Sequence, residues 1–338
     1  MRWSSLTTDA QERARLPGYG EEAVVRHFEA PEAISTNFYE VRAKSILNKV
    51  PEASRMPFRW TINPYRGCTH ACKFCFARPT HTYLGFNAGR DFEREIVVKV
   101  NAPELLRVEL ARPSWKGEHV ALGTNTDPYQ WVEGRYRLMP DIWQAMLEAR
   151  NPCSVLTKSP LLLRDLPVLS ALAATTEFSA AVSVPTIDER AWRQSEPHTP
   201  NPRARLEAIA ELTRAGIRTG VLIAPLMPGI NDAPEQVARI LEQASEAGAS
   251  YVTGIALHLR GEVRGVFFEW LAEHRPDLVA RYKRLYRNGA YAPVEERKRL
   301  AKLVRGPDLD PGQRTRGQSI EPPATGRASR ELVQQRLF

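Results

Sequence analysis

From Phe58 onward the chain alternates short apolar runs with longer stretches in which apolar residues recur every three or four positions. The runs are FRWTIN, HVALGT, CSVLTK, FSAAVSV, TGVLIA and YVTGIAL. Runs of this length, bounded by turn formers, read as strands. Between them Leu138, Ile142, Ala145 and Ala149 fall on one helical face, as do Leu162, Leu166 and Leu169, and again Val237, Leu241 and Ala244. Gly216 and Gly248 stand where helix ends hand over to the next strand. Alternating strands and helices predict an α/β fold with a parallel sheet. The pattern alone does not separate a partial barrel from a doubly wound sheet. In both, chemistry collects at the C-terminal strand ends.

The flanks differ from this core of residues 58–260. Residues 1–57 mix charges with scattered apolar positions and show no sustained period, which reads as an N-terminal extension packed near Ile46 and Leu47. Residues 261–303 read as basic helices, with Phe267, Phe268, Trp270, Leu271, Leu278, Tyr282, Leu285 and Tyr286 alternating with Arg281, Lys283, Arg284 and Arg287. Residues 304–338, rich in Pro, Gly, Arg and Gln, read as a flexible tail with at most a short helix near its end. The net charge of +8 is concentrated C-terminally, where residues 259–338 hold 17 Lys and Arg against 10 Asp and Glu. No segment approaches the roughly 18 uninterrupted apolar residues of a membrane span. The opening MRWSSLTTDAQERARLPG lacks the apolar core of a secretory signal. A cytoplasmic location without a membrane partner is the expectation, and clustered cysteines there point to a metal or to catalysis rather than to disulfides.

The cysteines supply the candidate chemistry. Residues 63–81, NPYRGCTHACKFCFARPTH, place Cys68, Cys72 and Cys75 at C-x3-C-x2-C spacing. Thiolates suit zinc or an iron–sulfur cluster. Zinc normally takes four protein ligands; an all-cysteine site would need Cys153, far downstream, as a long-range ligand, while His70 or His81 could close a mixed one. A cubane cluster wants a ligand on each iron, and three local cysteines leave one iron open. Both readings stand on spacing alone.

With Phe74 directly before the last cysteine, the motif resembles that of the radical S-adenosylmethionine (radical SAM) enzymes. TDPYQ at 126–130, LTKSP at 156–160 and LIAPLMPGIND at 222–232 are similar to motifs of the branch related to spore photoproduct lyase. The resemblance implies a partial (β/α)6 TIM-type barrel and a 4Fe-4S cluster on Cys68, Cys72 and Cys75. It also implies S-adenosylmethionine as a second cofactor, bound to the open iron and cleaved reductively to a 5′-deoxyadenosyl radical that abstracts hydrogen. A flavodoxin-like or ferredoxin-like electron donor follows from the same resemblance. Phe74 is then expected beside the adenine, Thr126, Asp127 and Lys158 at the amino-acid end or ribose, and Ser183 at a further cofactor contact. Asp127 can accept from an ammonium and Lys158 can pair with a carboxylate, both strong charge-assisted bonds. These residues follow successive apolar runs, as do Pro225 and His258, so they converge at strand ends.

Other positions have plainer expectations. Glu196 and Arg205, in EPHTPNPRARL, are expected to hold the loop before a helix; His70, His81 and His258 to be hydrogen-bonded structural groups; Cys153 to be a buried inert thiol. One departure bears on substrate. Spore photoproduct lyase has a hydrogen-donor cysteine just before the motif that corresponds to Thr126 and Asp127, where this chain has Gly123, Thr124 and Asn125. The resemblance therefore extends to the cofactors and not to thymine-dimer repair. The basic, aromatic C-terminal helices suggest nucleic acid as substrate. A peptide or protein substrate, and a zinc or structural iron–sulfur binding module without radical chemistry, are the competing readings.

Overall fold

The computed structural model describes residues 8–305 apart from 29, 31–34, 53 and 55. The tail expected from 304 thus falls outside the described residues beyond 305, and so does its terminal helix. The strands in chain order are β1 (Thr8–Ala14), β2 (Ala23–Phe28), β3 (Asn37–Val41), β4 (Leu47–Lys49), β5 (Trp60–Ile62), β6 (Tyr65–Arg66), β7 (Glu95–Lys99), β8 (Val120–Leu122), β9 (Cys153–Thr157), β10 (Phe178–Ser183), β11 (Arg218–Leu226) and β12 (Tyr251–Ala256).

The six apolar runs are β5, β8, β9, β10, β11 and β12, and each pairs in parallel with the next. Their sheet has the order β12-β11-β10-β9-β8-β5-β4, with β4 antiparallel at one edge. No pairing joins β12 to β4 among the described residues, so the sheet is an open barrel, the α/β fold of the expectation. Strands covered on both faces must be apolar on both, and β8 is buried throughout while β10 is buried at five of its six positions.

Helices close the outer face. Helix Leu138–Glu148 buries Leu138, Ile142, Trp143, Ala145 and Met146, and helix Pro234–Glu246 buries Val237, Ile240 and Ala244. Ala149, counted on the first of these faces, is instead its exposed C-cap. Leu162 lies in a 3-10 turn, Pro160–Asp165, because the helix begins only at Leu166, with Pro167 in its first turn where no hydrogen-bond donor is missed. Gly216 and Gly248, both at φ 76°, end their helices with the backbone bonds Ile217 N to Leu212 O (3.1 Å) and Ala249 N to Ala244 O (2.9 Å).

The N-terminal residues build a second sheet of order β1-β2-β3-β7-β6. Phe28 packs edge-on against Phe38 at 4.9 Å and against Trp131 at 5.7 Å, joining this sheet to the main core. Because β6 runs directly into the cysteine loop and pairs with β7, the second sheet fixes where that loop begins. The C-terminal segment forms helices Val263–His274, Val279–Leu285 and Val294–Arg305. Phe267, Trp270, Tyr282 and Tyr286 are buried in a separate core that includes Cys72 and Phe74. These rings, expected to serve a nucleic acid, are packing residues under the cysteine loop and cannot stack on bases. No helix among the described residues is long and apolar enough to cross a membrane.

The approach of β8 to β9 leaves no room at Gly123, where φ is 83° and a Cβ would lie 1.9 Å from Leu156 O. Gly117 has a similar φ of 66° but open space around it. Gly123→Ala is expected to cost about 3 kcal/mol and Gly117→Ala only about 1 kcal/mol from backbone strain. Urea unfolding of both variants checks this, and equal losses would refute the steric account.

Candidate active site

Gly67, at φ 79°, turns the chain out of β6; a Cβ there would meet Phe92 O and Ile96 Cδ1, each at 2.9 Å. Cys68 N then donates to Phe92 O at 2.9 Å. Gln130 accepts from Thr69 N at 2.9 Å and donates to Gly67 O at 3.2 Å, while Thr126 Oγ1 donates to the same carbonyl at 2.7 Å. Lys73 N bonds Ser195 O at 2.9 Å across the site.

The centre of this loop is Arg78, which has no exposed surface. Its guanidinium donates to Cys72 O (2.8 Å), Ala71 O (3.3 Å), Ala88 O (3.0 Å) and Gly89 O (2.8 Å), and pairs with Glu93 at 2.5 Å. Arg78 had no distinguishing signal in the sequence, since a buried arginine and a solvated one look alike there. Gln130 was likewise hidden inside the TDPYQ motif.

Cys68 and Cys72 are buried and Cys75 is partly so. Burial pushes the Cys72 thiol well above its ordinary value despite Lys158, and pushes Cys75 to about 11, with Cys68 adding to the shift. A metal centre would displace these protons on binding. Among the described residues no three His, Cys, Asp or Glu side chains gather around a point that one ion could occupy. His81, a candidate to close a zinc set, is hydrogen-bonded through Nε2 to Glu95 O at 2.8 Å and stacked on Phe86. Cys153 is wholly buried in β9, where burial raises its thiol. Three thiols with no fourth cysteine at hand fit a cluster with one open iron.

Two buried carboxylates organise the strand ends. Asp127 Oδ1 accepts from Thr157 Oγ1 (2.6 Å) and Tyr129 N (2.9 Å), and Oδ2 accepts from Lys158 N (2.7 Å). His70 Nδ1 is 3.4 Å from Oδ2, within ion-pair reach but not aligned for a hydrogen bond. Burial works against ionising Asp127, yet His70 and these donors hold it below the usual carboxylate range. His70 is raised to about 10 despite its burial, because Cys68 and Asp127 both favour the imidazolium. The second carboxylate, Glu196, has no exposed side-chain surface. Lys158 Nζ is 2.6 Å from its Oε1, and Arg205 Nη1 is 3.2 Å from Oε2. Arg205 also donates to Ser183 O (3.0 Å) and Pro200 O (2.8 Å), fixing the loop 196–200.

Of the five residues expected at the cofactor, three meet directly. Lys158 Nζ donates to Ser183 Oγ at 2.9 Å and stands 5.6 Å from the Phe74 ring centre. Asp127 joins them through the Lys158 backbone, while the Thr126 hydroxyl is spent on Gly67. Glu196 links this group to the thiols, its Oε1 lying 3.9 Å from Cys72 Sγ. A cavity of about 490 Å³ opens beside the loop, lined by Thr69, His70, Tyr129, Ser159 and His198 among others. Pro225 follows a cis peptide bond in β11, and His258 lies past the end of β12.

An open α/β barrel with a three-thiol loop at its first strand end is the architecture of enzymes that draw radicals from S-adenosylmethionine. Residues 62–244 match the radical SAM superfamily, and the chain belongs to that family of enzymes. An uncharacterised protein of Mycobacterium tuberculosis (strain ATCC 25618 / H37Rv) is 47% identical over 308 residues, covering 90% of this chain and 91% of its own. A Pseudomonas phage M6 protein named radical SAM Nalpha-GlyT isomerase is 26% identical over 190 residues, 56% of this chain and 37% of its own. Among solved structures, spore photoproduct lyase complexed with dinucleoside spore photoproduct aligns with TM-score 0.58 and 17% identity over 79% of this chain and 77% of that one, a likeness of fold.

Removing Arg78 would take a buried donor from four carbonyls and leave Glu93 to Lys73 alone, 2.9 Å away. Arg78→Ala is expected to lose about 3–5 kcal/mol in urea unfolding, and Arg78→Lys to recover little, since one ammonium cannot span the fork. Glu196→Gln leaves Lys158 and Arg205 as buried cations without a carboxylate, whereas Lys158→Met leaves Glu196 still paired with Arg205. The first is therefore expected to destabilise by about 3–5 kcal/mol and the second by clearly less. A Lys158→Met cost as large as that of Glu196→Gln would contradict the pairing.

Proposed function

We propose that the chain holds a 4Fe-4S cluster on Cys68, Cys72 and Cys75 and cleaves S-adenosylmethionine reductively to start hydrogen abstraction from a substrate. The observation that carries this reading is the meeting at Glu196: its Oε1 contacts both Lys158 Nζ, at 2.6 Å, and Cys72 Sγ, at 3.9 Å. When bound, the reduced cluster supplies one electron to the sulfonium, yielding methionine and the 5′-deoxyadenosyl radical.

The chain's own residues bind and orient. An ammonium has three donors; Lys158 gives two to Glu196 and Ser183, so one is left for the carboxylate of the incoming amino acid. Asp127, held ionised, can accept from its ammonium without moving. Phe74 offers a ring and neighbouring backbone to the adenine, and Thr126 with Gln130 keeps Gly67 and hence Cys68 in place. We infer a reducing, cytoplasmic setting, in which a flavodoxin-like or ferredoxin-like protein delivers the electron.

Anaerobic reconstitution tests the proposal. The protein is expected to take up iron and sulfide and to form 5′-deoxyadenosine with S-adenosylmethionine and reductant; each of Cys68→Ala, Cys72→Ala and Cys75→Ala should lose both properties. Zinc without sulfide would instead favour the binding module. Lys158→Met should keep iron and sulfide while weakening S-adenosylmethionine binding roughly tenfold or more, the loss of one charge-assisted bond. Unchanged affinity in that variant would remove Lys158 from the cofactor site.

A further inference from the structure

Two large rings stand open to solvent at the edge of the cysteine loop. Phe76, next to Cys75, is 52% exposed and Tyr291 is 53% exposed. Between them lies His258, partly buried, its ring 5.9 Å from Phe76 at 40° and 5.8 Å from Tyr291 at 29°. A β-bridge pairs His258 with Tyr291, and Leu259 N donates to Ala290 O at 2.8 Å, so backbone bonds hold this side of the ladder in register. Of the other aromatic residues in the C-terminal helices, Phe267, Trp270, Tyr282 and Tyr286 are buried and Phe268 is partly buried beneath Arg264. Folding therefore takes up the aromatic surface it needs elsewhere and leaves these two faces free.

Beside the ladder is a cation. Arg260 is exposed, has no ion-pair partner among the described residues, and lies close enough for its charge to act on His258. Burial first, and then that charge, hold His258 below its ordinary value, so the imidazole is neutral near pH 7. The stacked pair His258 and Tyr291, with Phe76 tilted beside it, offers exposed π faces that any base can cover, and a guanidinium beside them suits a phosphate. An aromatic peptide could use the rings, but only an anionic partner uses Arg260 as well. The basic excess of residues 259–338 favours the same partner.

We propose that Phe76, His258 and Tyr291 form a stacking platform that, with Arg260, receives an unpaired nucleobase and its phosphate from a single-stranded stretch of nucleic acid. The proposal deepens the function argued above, on which it rests, by naming its substrate class and the side from which substrate reaches the cluster loop.

The test is fluorescence anisotropy of a labelled oligothymidylate with the reconstituted holoprotein at two salt concentrations. The wild type should bind, more weakly at high salt. Tyr291→Ala should weaken binding about 5- to 100-fold, the worth of one base stack, and Tyr291→Trp should retain it. Arg260→Gln should weaken binding and lower the salt slope by about one. Circular dichroism and iron content confirm that each variant is folded and loaded. Failure of the wild type to bind, Tyr291→Ala binding as tightly as wild type, or a peptide displacing the strand would each overturn the platform. Substrate-free cleavage of S-adenosylmethionine is read on the same samples: its presence without strand binding overturns the platform alone, and its absence overturns the radical function.

Discussion

A loop that presents three thiols inward must also turn its carbonyls inward, and buried carbonyls without donors are costly. Arg78 meets that constraint. One planar group with five donors reaches the carbonyls on both sides of the loop, Ala71 and Cys72 from one strand of chain and Ala88 and Gly89 from another, and Glu93 balances its charge. The thiols are consequently held by the protein rather than by the metal. A centre that binds to a preformed loop does not have to supply the free energy of ordering it, unlike a zinc finger, where metal binding and folding are one event.

The same economy appears at the strand ends. Asp127 follows β8 and bonds the end of β9; Glu196 precedes the helix that starts at Pro202 and bonds Lys158, again at the end of β9. Lys158 is thus fixed twice, at its amide by one carboxylate and at its ammonium by the other. Buried ion pairs contribute little net stability, because desolvation offsets attraction. What they fix here is position: the ends of β8, β9 and β10 and the loop at Glu196 are tied to a single lysine.

The strands of the main sheet, though not their order, were readable from the chain because parallel strands buried on both faces leave continuous apolar runs, and all six appear as strands. Gly216 and Gly248 were readable because a left-handed helix end selects for glycine. The N-terminal sheet was not, since its strands lack a clean alternation, and β2 passes irregularly between buried and partly buried positions. Local periodicity there carries little information, and β3, on which β2 and then β1 are laid, is held by its pairing with β7 far along the chain. At the site, residue types with one dominant use were legible: clustered cysteines, and an Asp and a Lys at strand ends. Arg78 and Gln130 act through bonds to the backbone of the cysteine loop, and nothing in their local sequence separates them from surface residues, while Glu196, legible as a residue that holds its loop, carried no sign of its meeting with Lys158 and Cys72. The C-terminal aromatics show the converse, for alternation of rings with basic residues describes a stacking surface and an amphipathic packing helix equally well.

Position 123 bears on how far the likeness to spore photoproduct lyase extends. In that branch a hydrogen-donor cysteine precedes the motif at Thr126. Here the backbone of β9 passes so close to Gly123 that no side chain fits, the Thr124 hydroxyl is buried without a hydrogen-bond partner, and Asn125 is exposed with its amide bonded to Asn63 Oδ1 at 3.2 Å. None of the three carries a weak S–H bond, and Cys153 is enclosed in β9. A substrate radical formed beside this loop would find no thiol on it to quench it. The likeness to spore photoproduct lyase is one of fold, and residues 123–125 give no ground for carrying it to that enzyme's substrate, so what distinguishes this chain is the surface beside the cysteine loop where Phe76 and Tyr291 face solvent.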